Sequence, residues 1–163
     1  MASFLEKSSG LSQLDPIDLG ILRLLQQDSK STIKEMAAEL GLTVTPVYER
    51  IRRLERDGYI EGYVALLSRE KIDLSLIAYC NVSIKEHATH YIKLFEREVL
   101  SLNEVMECYH VGGGFDYLLK IVVRDMDAYQ HFISDKLAAL ENIGRVQSSF
   151  VMKEIKHSTA YPL

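Results

Sequence analysis

Between residues 31 and 60 the chain encodes two short helices and a tight turn, which leaves few alternatives for what it can fold into. Thr32 and Glu35, three residues apart, form a capping box, and Ile33, Met36, Ala37 and Leu40 then recur at helical spacing. Gly41 suits the left-handed position that closes a helix. Thr43 is the next N-cap, and Pro46 falls in the first turn, where a missing N–H loses no intrahelical bond. Val47, Ile51 and Leu54 form an inward face, opposed by Thr45, Tyr48, Glu49, Arg52, Arg53 and Arg56, and Gly58 ends the helix. Upstream, Asp15-Pro16 opens a further amphipathic helix with Ile17, Ile21, Leu24 and Leu25 as its stripe. Small Ala37 and Gly41 allow a close helix crossing.

Three helices, two of them joined by so short a turn, make a helix-turn-helix, a module whose second helix fits the DNA major groove. The competing reading is a small bundle with a solvated charged face, which is what arginines on a helix usually mean. The caps, turn and small residues together favour the DNA-binding reading. Overall charge is formally −4, from 19 Lys+Arg against 23 Asp+Glu, so the chain is no general polycation. Residues 43–56 carry Arg50, Arg52, Arg53 and Arg56 against Glu49 and Glu55, a local +2. So weak a patch implies that several copies act together on DNA, and dimerisation is expected.

At 163 residues and 47% apolar content, the chain can build one or two ordinary cores. It holds no apolar run long enough to span a bilayer and no basic-then-apolar leader, so a cytoplasmic location without membrane association is expected. Cys80 and Cys108 fall in predicted strands and read as buried free thiols of a reducing compartment.

After Gly58 the pattern changes. Tyr59 to Leu67 is β-rich and reads as a strand and hinge, and Ser68 to Asp73 as a linker. Leu76, Ala78, Cys80, Val82 and Ile84 alternate with Ile77, Tyr79, Asn81 and Ser83, which predicts a strand with one apolar face. Ile92, Phe95 and Val99 mark a helix; Val105–Val111 and Phe115–Val123 are strands around Gly112-Gly113-Gly114. Tyr129, Phe132, Ile133, Leu137 and Leu140 mark a second helix, and Val146–Ile155 a final strand. The order β-α-β-β-α-β is the ferredoxin-like arrangement: an open antiparallel sheet with helices on one face, its other face to be covered by a second copy. The fold class is therefore α+β. It divides into a lead-in over residues 1–13, a winged-helix-like helix-turn-helix domain over 14–60, a hinge strand and linker over 61–73, a ferredoxin-like domain over 74–157 whose open sheet face is expected to serve oligomerisation, and a tail over 158–163.

Four segments in order carry a resemblance to the Lrp/AsnC, or feast/famine, regulators: LDPIDLGILRLLQQDSK (14–30), GLTVTPVYERIRRLERDGYIEGYVALL (41–67), HVGGGFDYLLKIVVRDMDAY (110–129) and FVMKEIK (150–156). The resemblance covers the chain from about Leu14 to Ile155. It implies a bacterial or archaeal transcription factor that binds double-stranded DNA, dimerises through the C-terminal domain, assembles further into octamer-like rings, and responds to an amino acid or related small metabolite. It puts the recognition helix at Thr43–Arg56, with Thr43, Thr45, Tyr48, Arg52 and Arg53 towards DNA and Arg50 at the flank.

The same resemblance implies an effector pocket between C-terminal domains of neighbouring dimers, bordered by Gly112, Gly113, Gly114, Phe115 and Asp116. Glycines let backbone approach a ligand, unpaired N–H groups there could take an α-carboxylate, and Asp116 could take an α-ammonium. An ordinary hairpin turn is the competing reading of the glycines. Met126, Ser149, Phe150 and Val151 are the further implied effector positions; leucine-responsive members usually carry an aromatic residue where this chain has Ser149. No cofactor is implied. His87 and His90 lack a partner that would complete a metal site, and no nucleophile motif indicates catalysis. The alternative is an enzyme on the same scaffold, resembling decarboxylases of haem precursors, against which Arg50, Arg52 and Arg53 on a recognition helix argue.

Overall fold

The computed structural model describes residues 13–163, so the lead-in expected over 1–13 lies, apart from Gln13, outside the described residues. The chain divides into two compact units, one of residues 13–65 with 156–163 and one of residues 66–155.

The first unit holds α1 (Pro16–Gln27), α2 (Ile33–Glu39) and α3 (Val44–Arg56). Their starts follow from their caps. Asp15 accepts from the Asp18 N–H and Asp18 returns to the Asp15 N–H; Thr32 and Glu35 repeat the arrangement on α2. Thr43 takes the N-cap position of α3, but its side chain makes no cap hydrogen bond. Gly41 and Gly58 adopt the left-handed conformation, at φ 66° and 78°, that ends their helices. Ile21, Leu22, Met36, Ala37, Val47, Ile51 and Leu54 form the core. The close helix approach is at Gly20 rather than at Gly41: a Cβ on Gly20 would come within 2.7 Å of Leu40 Cδ2, whereas one on Gly41 would meet nothing.

The unit also takes in residues 156–163, which sequence reading assigned partly to the other domain and partly to a tail. Gln26 on α1 receives the Tyr161 N–H at 2.6 Å, Arg23 donates to the Leu163 carbonyl at 2.8 Å, and Leu163 packs against the helical core.

The second unit is a four-stranded antiparallel sheet of β1 (Leu76–Ile84), β2 (Val105–His110), β3 (Tyr117–Val123) and β4 (Ile143–Phe150), in the order β2-β3-β1-β4. Helix α4 (Thr89–Val99) and α5 (Met126–His131), the latter continued by a wider turn over Phe132–Leu137, complete the β-α-β-β-α-β order. Ala78, Cys80, Val82 and Ile84 from β1 and Tyr117, Leu119, Ile121 and Val123 from β3 meet Phe95, Val99, Tyr129, Phe132 and Leu137 from the helical side. Each such apolar side chain fully buried stabilises the fold by about 1.5–3 kcal/mol. The opposite face carries exposed Tyr79 and Tyr109 with the Lys120–Glu107 ion pair (2.7 Å).

Three expectations are corrected. The strand expected within Tyr59–Leu67 does not form among the described residues: the Tyr59 and Ile60 N–H groups turn back to the Leu54 carbonyl, and no described strand pairs with the rest of the segment. The final strand runs from Ile143 to Phe150, not from Val146 to Ile155. Val151 N–H still reaches the Ile77 carbonyl, but β1 begins at Leu76, so beyond that point the partner strand is exhausted. Finally, Cys80 is buried as expected, whereas Cys108, on edge strand β2, is exposed.

Candidate functional site

On α3 the proposed DNA-facing residues divide into two groups. Thr43, Thr45, Tyr48 and Arg52 are exposed, and Thr45, Tyr48 and Arg52 stack on one side at spacings of three and four residues. Arg52 is held only loosely, 3.4 Å from Glu55, with 65% of its side chain exposed. Arg50 and Arg53 lie nearer the core and are engaged within the protein.

Both reach back to the start of α1. Arg50 Nη1 donates to Asp15 Oδ2 at 2.6 Å and Asp18 Oδ1 at 2.7 Å, and Arg53 Nη2 donates to Asp18 Oδ2 at 2.5 Å. Asp18 is 1% exposed and is the one buried charged residue among the described residues. Its carboxylate carries a guanidinium on each oxygen, as a buried charge must be paired to persist. The Asp18 backbone N–H and then Arg50 hold the Asp15 carboxyl below the usual carboxylate range. The hydrogen bonds Arg50 donates to Asp15 and then to Asp18 push its guanidinium above its ordinary value, so its charge is fixed. The local +2 of residues 43–56 is therefore cancelled by Asp15, the N-cap of α1, and Asp18 in its first turn. Sequence reading missed this pair. The available signal was that Asp18 lies one turn before buried Leu22, on the edge of the apolar stripe.

In the sheet unit, the Gly112–Asp116 loop joins β2 to β3. Of its three glycines only Gly113 adopts a conformation that side chains disfavour, at φ 143°. The N–H groups of Gly112, Gly113 and Gly114 meet no acceptor among the described residues, and all three are exposed. Arg145 lies over the Phe115 ring, 5.4 Å from its centroid. Asp116 is already occupied: Oδ2 accepts from the Ile84 N–H at 2.9 Å, and Oδ1 lies 2.8 Å from His87 Nε2. The Ile84 N–H, followed by His87, lowers the Asp116 carboxyl from its ordinary value. His110 stacks on Tyr117 at 4.9 Å instead of standing free beside the loop.

The other implied effector positions lie elsewhere. Asp116 N–H bonds to the Val82 carbonyl, near the end of β1, whereas Ser149 and Phe150 pair with Tyr79 and Ala78, and Val151 bonds to Ile77. Met126 opens α5 just after Val123, which pairs with Leu76 at the start of β1. The glycine loop and the Met126/Ser149–Val151 group thus sit at opposite ends of β1, separated by about four residues of strand or ~13 Å. Phe150 packs edge-on against Tyr129, and the Tyr129 hydroxyl donates to Ser148 Oγ at 2.5 Å and lies 2.8 Å from Cys80 Sγ. Burial pushes the Tyr129 hydroxyl up, so it stays protonated.

A helix-turn-helix unit followed by an α+β sheet unit defines a DNA-binding regulator with a ligand-binding domain. Residues 14–61 match the winged helix-turn-helix DNA-binding family, and residues 77–161 match the Lrp/AsnC ligand-binding domain. The chain belongs to the Lrp/AsnC family and is a DNA-binding transcriptional regulator. It is 35% identical over 153 residues to the Bkd operon transcriptional regulator of Pseudomonas aeruginosa, covering 94% of this chain and 100% of that protein. Identity to the leucine-responsive regulatory protein of Escherichia coli is 40% over 145 residues, 89% of this chain and 88% of that one. A Neisseria meningitidis transcriptional regulator, solved in complex with L-Met, superposes with a TM-score of 0.88 at 38% identity, covering 91% of this chain and 96% of its own. An AsnC family regulator of Agrobacterium tumefaciens gives 0.88 at 37% identity, covering 91% and 97%. These relatives are regulators and give no support to the decarboxylase alternative.

Proposed function

We propose that the protein acts as a homodimer or higher, octamer-like assembly in the cytoplasm, and that a free amino acid bound between sheet units of neighbouring copies changes its promoter occupancy. The observation that carries this reading is the separation of the candidate effector positions. The exposed N–H groups of Gly112, Gly113 and Gly114, without an acceptor among the described residues, suit an α-carboxylate, but Met126, Ser149, Phe150 and Val151 stand at the far end of β1. One chain cannot bring both to one small ligand; the loop of one copy against the Met126 end of another can. Asp116 would take the α-ammonium in place of His87, whose exposed ring is free to move aside. The L-Met complex of the Neisseria relative supports an amino acid as the ligand class.

In this reading α3 enters the major groove, with Thr43, Thr45, Tyr48 and Arg52 directly available and Arg50 and Arg53 restrained by α1. A ligand shifts the assembly only if it binds one arrangement better than the other. The test begins with a labelled fragment of the gene's own upstream region against a scrambled duplex at physiological salt. Amino acids, L-methionine first, are then added while DNA affinity and sedimentation are followed. A preferred fragment, with one amino acid altering both quantities, is the expected result. If no amino acid moves either, the effector reading is wrong.

A further inference from the structure

We propose that Asp18 is a positioning residue for DNA recognition: it fixes one edge of the Arg53 guanidinium so that the other edge is presented to the duplex at a set angle. The inference goes beyond the regulator function, which assigns no role to α1.

Three observations support it. First, Asp18 is buried, yet it lies on α1 and not on the helix that meets DNA. Its carboxylate is divided between Arg50 on Oδ1 and Arg53 on Oδ2, and the Asp15 N–H closes on Oδ2 at 3.2 Å. Second, the two arginines are not equivalent. Arg50 is the more enclosed, and the same Nη1 bridges Asp15 and Asp18, so it fastens the α1 cap to α3. Arg53 keeps 41% of its side chain exposed, and its Nε and Nη1 meet no acceptor among the described residues. Third, Arg53 sits one position from Arg52 on the border of the face that carries Thr45 and Tyr48.

A guanidinium is a planar fork, and its value in reading a guanine edge lies in presenting two N–H groups at once. A free arginine chain loses rotamer freedom when it does so. One already held by a buried carboxylate has lost that freedom on folding, and it cannot swing to the nearest phosphate. Asp18 therefore exchanges non-specific attraction for orientation, and it leaves the helix with little surplus charge.

The test uses the full chain, a duplex selected by the wild-type protein from a randomised pool, and a scrambled duplex of equal length. Asp18→Asn keeps the shape but removes the charge. It is expected to lower the selected-to-scrambled affinity ratio at least tenfold. It is also expected to raise affinity for the scrambled duplex, with a salt dependence steeper by about one phosphate contact. A simple helix staple would not steepen that dependence. A folded Asp18→Asn protein with an unchanged ratio and salt slope overturns the proposal. If that variant does not fold, Arg53→Lys decides, because it retains the charge towards Asp18 but not the fork. A ratio lowered at least tenfold supports the proposal and an unchanged one overturns it. If the wild-type chain enriches no sequence, sequence-specific recognition itself fails, and the proposal falls with it.

Discussion

In the helical unit a buried carboxylate binds two arginines from 32 and 35 residues away, and every partner belongs to the same chain. In the sheet unit Asp116 is similarly engaged, by Ile84 and His87, but the exposed backbone donors beside it meet no acceptor among the described residues, and the other implied ligand positions lie a strand's length off. One unit has its charged machinery assembled on folding. The other has its implied effector positions divided between the two ends of β1. The difference follows from the ligands. DNA presents base edges at fixed positions in the groove, so on the proposed reading an arginine oriented in advance can meet one. On the proposed reading, an effector site completed only when copies meet binds the assembled state better and so shifts assembly.

The sharpest way to break the first half of that comparison is Asp18→Ala. Arg53 would lose its carboxylate acceptor and Arg50 one of its two, keeping Asp15, next to Ile21 and Leu22. The expected loss is about 3 kcal/mol, the lower end for breaking a buried pair, because Arg50 and Arg53 retain access to water. Denaturation followed by helix circular dichroism should show the helical unit melting earlier while the sheet unit holds. A stability loss below about 1 kcal/mol would mean that the pair is ornamental and that the core alone holds α1 to α3.

Arg52→Ala tests the other side of α3. Its only ionic partner among the described residues is Glu55 at 3.4 Å on an exposed surface, so the fold should not change. DNA affinity should fall by about tenfold, the effect of one arginine contact to a base or phosphate. A fluorescence anisotropy titration checks this, with the melting curve as control. Full affinity would remove Arg52 from the interface and transfer the burden to Thr45 and Tyr48.

These two variants also mark what the sequence could and could not reveal. Caps and glycine stops were readable because each is a local bargain between a side chain and the backbone beside it: Asp15-Pro16, Thr32 with Glu35, Gly41, Gly58. The β1 alternation was readable because the sheet buries one face. The Asp18 pair was not, since its partners are distant in sequence and a lone acidic residue on an amphipathic helix usually faces water. The hinge strand misled because β-rich composition states a preference for pairing without supplying the neighbour. The shift in β4 has a similar origin: Gly144-Arg145 looks like turn material, yet Ile143 pairs with Ile84 across a register shift at the end of β1. At the glycine loop, sequence placed Asp116 beside the N–H groups but could not show that its oxygens are shared with Ile84 and His87.

Asp116→Asn carries the smallest expected effect and tests the second half of the comparison. The native Asp116 carboxyl lies below its ordinary value, chiefly because it accepts from the Ile84 N–H and then because of His87. A lowered native value means that the carboxylate stabilises the fold at any pH above the ordinary Asp range. That contribution is lost as pH falls through the native value. Wild type should therefore melt slightly above Asp116→Asn at neutral pH, and the gap should close on acidification. Asparagine can still accept from Ile84, so the loop should hold its shape and DNA binding without effector should persist. What asparagine cannot supply is a negative charge for an α-ammonium. An amino-acid response lost at neutral pH, with the loop intact, would tie the charge to the ligand. A response that survives in Asp116→Asn would leave Asp116 as a clamp between β1 and β3, and the ammonium would then have to be met by the neighbouring copy.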